Sequence, residues 1–189
     1  MQFFNLNINK YKFLLLGAGL LFLLIIFFAT RGKSLPQTQK PLPVPPSPKR
    51  VCSLTLSPES GAFEIGKPFT LKIFLDTADI KTSGTDARVI FNSKILEAKE
   101  ITTGTIYKVY PAKLINNQKG EAVVSGIAPP GTDFSGKGVF AEITFTPKVK
   151  GSTKVYFDFA NGSTIDSNVA GINRGDILEA TGEGMYVIK

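Results

Sequence analysis

Chemistry in this 189-residue chain has to be done by carboxylates, hydroxyls and amines, because the sequence has no histidine and a single cysteine. A Ser-His or Cys-His nucleophile pair and a His-ligated metal centre are therefore excluded. Cys52 alone closes no intrachain disulfide and builds no multi-thiolate zinc site. Lys49, Arg50 and Val51 precede it, unlike the small apolar context of a lipoprotein cleavage site, so Cys52 reads as a thiol at the start of the first strand. Paired carboxylates can hydrolyse glycosides without histidine. Nothing in the spacing of the acids sets two of them across a cleft, and no enzymatic activity is expected. Gly136 to Gly138 and Gly182 to Gly184 precede strand-like runs, which makes them turns and not phosphate cradles.

Hard oxygen donors for calcium occur in two sets: Asp76, Asp79 and Asp86, and Asp166, Asn168 and Asp176. The stretch from Asp166 to Gly171 begins like an EF-hand loop, but Ala170 stands at the third ligand position and Ile177 at the twelfth, where Glu is required. Turn formation accounts for these residues, with a looser structural calcium site as the lesser reading, and no cofactor is expected. Tyr107 and Tyr110 sit between turn signals and offer aromatic faces to a sugar ring. The chain has no Trp, and strand tyrosines with wet hydroxyls are the plainer reading.

The elements that must position these groups fall into four segments. Residues 1–12 form a short N-terminus, and from Phe13 to Thr30 an uncharged run of 18 residues has about the minimum length of a membrane-spanning helix. Phe27 stands where a signal-peptidase site near Ala29 would need a small residue, which favours an uncleaved anchor. Residues 31–50 carry Pro36, Pro41, Pro43, Pro45, Pro46 and Pro48 and read as an extended spacer. Within it a PxxP ligand for a partner domain is the lesser reading. Residues 1–50 hold seven Lys or Arg and no acid, which leaves 15 basic and 15 acidic residues in 51–189. The basic character belongs to the tail, and nucleic-acid binding by the folded part is not expected.

From residue 51 onward, short runs rich in Val, Ile, Phe and Thr alternate with Gly, Pro, Asn and Asp clusters, the pattern of an all-β two-sheet sandwich. Strands are predicted at Cys52 to Ser57, Phe69 to Asp76, Asp86 to Phe91, Thr105 to Tyr110, Glu121 to Ile127, Gly138 to Pro147, Thr153 to Phe159 and Glu183 to Ile188. Phe69, Leu71, Ile73 and Leu75 share one side of their strand. Ala87, Val89 and Phe91 point inward, and Asp86, Arg88 and Ile90 outward.

Two segments, GKPFTLKIFLDT at Gly66 to Thr77 and GTDARVIFNSKILEAKEI at Gly84 to Ile101, resemble the second and third strands of cohesin domains. Phe91, Asn92, Ser93, Leu96 and Glu97 stand where those domains carry an aromatic residue, an Asp-Pro-like turn and a Leu-Glu pair. GEAVVSGIAPPG and GKGVFAEITFTPKVKGSTKVYF resemble the later strands, so the likeness spans about residues 52–189. Where cellulosomal cohesins carry Asn-x-Asp on the dockerin-facing strand, this chain has Gly84 and Asp86. The resemblance implies a non-catalytic sandwich of jelly-roll topology that binds a helical dockerin-like protein through one open sheet face. Related sandwiches bind polysaccharide, which is the alternative.

If the cohesin face is used, Asp86, Arg88 and Ile90 join Val123, Ser125 and Ile127 in one patch of apolar centres and polar groups. The plainer reading covers Ile90, Val123 and Ile127 with a loop or places them in the core. Lys10 and Lys12 flank one end of the apolar run, and Arg31 and Lys33 the other, so charge does not orient it. The exterior location implied by the resemblance puts the N-terminus in the cytoplasm and residues 51–189 outside the cell. A third reading, a structural envelope-assembly protein with a packed N-terminal helix, conflicts with the six spacer prolines.

Overall fold

A computed structural model describes residues 49–189. The N-terminal segment, the apolar run Phe13 to Thr30 and all but the end of the spacer lie outside the described residues. Among the described residues no helix is long and apolar enough to cross a membrane.

The strands are β1 (Ser53–Ser57), β2 (Ser60–Phe63), β3 (Phe69–Asp76), β4 (Thr82–Phe91), β5 (Leu96–Thr103), β6 (Val109–Asn116), β7 (Glu121–Ile127), β8 (Lys137–Pro147), β9 (Gly151–Phe157), β10 (Asn168–Gly171), β11 (Gly175–Asp176), β12 (Ala180–Thr181) and β13 (Glu183–Ile188). They form a five-stranded sheet in the order β12-β1-β3-β8-β5 and an eight-stranded sheet in the order β11-β10-β4-β9-β13-β2, with β7 on the free side of β4 and β6 beyond β7. The all-β, two-sheet architecture expected from the sequence is the one observed.

Period-two alternation builds the core. Leu54, Leu56, Leu71, Ile73, Leu75, Ile143 and Phe145 project from the five-stranded sheet, and Ala87, Val89, Phe91, Val124, Val155, Phe157, Tyr186 and Ile188 from the other. Each large apolar side chain so buried contributes about 1.5–3 kcal/mol. Aromatic rings close one end of the core: Phe63 stacks on Phe69 at 3.8 Å, and Phe91 meets Phe145 edge-on at 5.1 Å.

The strand predictions fail where an edge disrupts the alternation. Thr105 to Tyr110 is mostly loop, and the strand there starts only at Val109 and runs to Asn116. Pro111 in its third position is tolerated because β6 pairs on one side only, with β7. Strand β5 has no counterpart among the predicted strands. Its charges Glu97, Lys99 and Glu100, and a register shift between Ala98 and Glu100, erase the periodicity of what is also an edge strand. The short strands β2, β10, β11 and β12 are too brief to leave a pattern.

Candidate docking face

Strand β4 organises the candidate site. Its inward residues Ala87, Val89 and Phe91 are buried, while Asp86, Arg88 and Ile90 alternate outward and are partly exposed. Strand β7 pairs with it antiparallel, setting Ser125 opposite Asp86 and Val123 opposite Arg88, and β6 sets Leu114 opposite Val123 and Ala112 opposite Ser125. The six sequence-predicted residues thus lie on one outward surface. Ile127 is 44% exposed, and Ile90 and Val123 are partly exposed, so none of the three is a core residue.

The apolar surface extends past those six residues. Leu114, 63% exposed, and Val109 add to it from β6. Tyr156 on β9, opposite Ile90, and Met185 and Val187 on β13 carry it across the sheet, all exposed. The signal for the last two lies in the unbroken run Met185 to Ile188, where both faces of a strand are apolar. Arg88 crosses the middle of the patch and donates to Glu121 at 2.8 Å, with Asp158 at 4.0 Å. Lys154 pairs with Glu183 and lies 5.2 Å from the centre of the Tyr156 ring. Val123 borders two shallow depressions, one shared with Leu114 and Glu121 and the other with Asp86 and Asn168.

The tyrosines expected to meet a sugar do not reach solvent as platforms. Tyr107 is 4% exposed, and its hydroxyl lies 2.8 Å from Thr82 Oγ1 and 3.1 Å from Thr85 Oγ1. Tyr110 is partly buried against Phe140, and its hydroxyl donates to the Phe140 carbonyl at 2.9 Å. Burial pushes the pKa of both hydroxyls above the ordinary phenol value. Both the stacking role and the wet-hydroxyl reading are corrected, because the β5–β6 connection folds Tyr107 inward and the start of β6 turns Tyr110 against Phe140. Gly126 leaves room for them: a Cβ there would stand 2.8 Å from the Tyr107 ring and 2.7 Å from that of Phe140.

Neither calcium set assembles as expected. Arg50 occupies Asp76 at 2.7 Å and Asp79 at 2.9 Å. Burial works against the Asp76 carboxylate, yet the Ala78 N–H and the Arg50 guanidinium outweigh it and hold its carboxyl below the usual range. Asp176 Oδ1 accepts the N–H groups of Val169 and Leu178 at 2.9 and 3.0 Å, a turn-closing role. Among the described residues no group of three or more Cys, Asp or Glu side chains is placed to hold a metal ion.

A two-sheet sandwich with one open, apolar sheet face is the architecture of a binding module. The family model of the cohesin domain matches residues 54–177, and the chain belongs to the cohesin family. Among solved structures it is similar to the seventh ScaB type I cohesin of Pseudobacteroides cellulosolvens, with 16% identity and a TM-score of 0.61 over 74% of this chain and 92% of that one. It is also similar to the OlpA cohesin of Clostridium thermocellum solved in a cohesin–dockerin complex (14%, 0.61, 74% and 100%). A non-cellulosomal cohesin of the archaeon Archaeoglobus fulgidus aligns at 12% identity and a TM-score of 0.56, over 74% of this chain and 92% of that one. No curated protein matches the chain in sequence.

Proposed function

We propose that this chain is a non-catalytic docking module, displayed at the cell surface, that receives a dockerin-like protein on the outer face of its eight-stranded sheet. The observation that carries the reading is the set of outward apolar side chains Val109, Ile127, Leu114, Val123, Ile90, Tyr156, Met185 and Val187 on five strands of that sheet, interspersed with the Arg88–Glu121 and Lys154–Glu183 pairs. Apolar side chains scattered singly need no explanation, but this many gathered on one sheet face mark an interaction surface. Its polar groups, Asp86 and Ser125 beside the Arg88–Glu121 pair, supply orientation at little desolvation cost because they stay partly hydrated. Solved neighbours include cohesins in complex with dockerins, from Clostridium thermocellum and Acetivibrio cellulolyticus, which supports the choice of a protein partner. The apolar run Phe13 to Thr30 supports a single-pass anchor, and the prolines of residues 31–50 support a spacer that holds the sandwich off the bilayer.

The test is a binding measurement of the full-length chain, kept in mild detergent, against a panel of dockerin modules that includes those of the two organisms above. At least one is expected to bind, and Val123→Asp or Leu114→Asp to weaken it by about tenfold or more, as for truncated interface centres. The melting temperature should stay unchanged, because both side chains face outward. Failure of the whole panel to bind, or binding indifferent to both substitutions, would refute the reading.

A further inference from the structure

Most asparagines of the sandwich are tied into local hydrogen bonds. Asn92, Asn116 and Asn117 accept the N–H groups of Lys94, Lys119 and Ala98 on their side-chain oxygens, and Asn168 donates to the Asp166 carbonyl. Asn161, on the 158–167 connection between β9 and β10, enters none of these bonds and is exposed. Gly162 follows it, and this is the one Asn-Gly step in the sequence. Every other asparagine of the described residues, exposed Asn173 included, is followed by a residue with a Cβ, which crowds the backbone nitrogen.

The chain turns at this step. The Ser163 N–H donates to the Ala160 carbonyl at 2.9 Å and Gly162 has a φ of +82°, so Asn161 and Gly162 form the centre of a type II turn. Glycine takes this φ without strain, and a Cβ built on it would meet no heavy atom within 4 Å. Among the described residues the Gly162 N–H has no backbone acceptor. Behind the turn the connection is held: Asp166 Oδ2 accepts the Ala160 N–H at 2.5 Å, and the Ser167 N–H donates to the Asp158 carbonyl at 2.9 Å. The tip is therefore open to solvent on a fixed base.

A side-chain amide next to an unbonded backbone nitrogen is set up for intramolecular attack. Gly162 N, having lost its proton to hydroxide, bonds to Asn161 Cγ; the Cγ–Nδ2 bond breaks, ammonia leaves, and a five-membered succinimide closes. Water then opens the ring, at Cγ to give aspartate or at the main-chain carbonyl to give isoaspartate, whose backbone runs through Cγ. No oxidant or reductant is required.

We propose that Asn161 is a site of spontaneous covalent modification, deamidating in the folded protein to aspartate and isoaspartate. Either product places a carboxylate on the connection that borders the docking face through Thr164 and Ile165, and the reaction needs no partner. Full-length chain in mild detergent is incubated at pH 8 and at pH 6, beside a sample unfolded in guanidinium chloride, and its peptides are followed by mass and by isoaspartate content. Asn161 is expected to convert before any other asparagine of residues 49–189 in the native sample, faster at pH 8 because the attacking amide must lose its proton. Asn161→Gln should abolish the signal and Gly162→Ala should slow it, with the melting temperature confirming that both variants fold. Conversion confined to the unfolded sample, earlier conversion of another of these asparagines, or an unchanged rate in Gly162→Ala overturns the proposal.

Discussion

At the residue scale the chain's one thiol is a buried structural group. Cys52 is fully enclosed, and its carbonyl accepts the N–H groups of Glu179 and Ala180 at 3.0 and 3.2 Å. Burial, reinforced by the Asp176 and Asp76 carboxylates, pushes its pKa up to about 12. Tyr186, whose hydroxyl donates to the Pro58 carbonyl at 2.6 Å, is likewise pushed up to about 12 by burial. In the unfolded chain these groups lose their protons near pH 8.5 and 10, while the folded chain holds them until about pH 12. The folded state binds more protons across that window, so stability is full below about pH 8.5 and falls as the pH rises toward 12. Chemical denaturation between pH 8 and 11 should show the midpoint decreasing, less steeply in Cys52→Ala. A disulfide reagent at pH 8 should leave the native thiol untouched and modify it on unfolding. Tyr107→Phe removes the hydroxyl that Thr82 and Thr85 share, and should cost about 1–2 kcal/mol in urea denaturation without altering partner binding.

At the element scale the sandwich depends on two glycines that bring elements into close approach. A Cβ on Gly104, just after β5, would lie 1.9 Å from the Val139 carbonyl oxygen, a backbone atom fixed within β8. At Gly126 the obstacle is the pair of Tyr107 and Phe140 rings. Rings yield more readily than a hydrogen-bonded strand, so Gly104→Ala should lower the melting temperature more than Gly126→Ala. The latter belongs with ordinary overpacking, at about 1–3 kcal/mol. Equal effects of the two substitutions would show that the connection around Tyr107 is as rigid as the sheet.

At the scale of the whole molecule the charge asymmetry and the apolar run frame the proposed display of the domain. Seven basic residues and no acid lie in residues 1–50, beside a folded part with equal numbers of both signs. In detergent phase separation the full-length chain should partition with the detergent, and deletion of residues 13–30 should return it to the aqueous phase. Aqueous partitioning of the intact chain would remove the anchor. The face itself carries compensated charge in the pairs Arg88–Glu121 and Lys154–Glu183. Docking driven mainly by apolar burial across it should then depend only weakly on salt.

The sequence by itself determined the class of fold and the inward and outward sides of its regular strands. Alternation in Phe69 to Asp76, Ala87 to Phe91 and Glu121 to Ile127 follows from the two-residue pleat, which needs no knowledge of neighbours. It also identified the cohesin pattern, through many small agreements spread along the chain, and the outward positions of Asp86, Arg88, Ile90, Val123, Ser125 and Ile127. Only the tertiary structure decided what depends on pairing between distant segments. It turned Tyr107 and Tyr110 inward against Phe140, made edge strands of β5 and β6 where charge and proline hide the period, and spent Asp76, Asp79 and Asp176 on local bonds. It also brought Asp86, Ser125, Asp166 and Asn168 to one shallow depression from three separate strands and a connection. Strand order and register, set by which hydrophobic faces meet across the sandwich, carry that information.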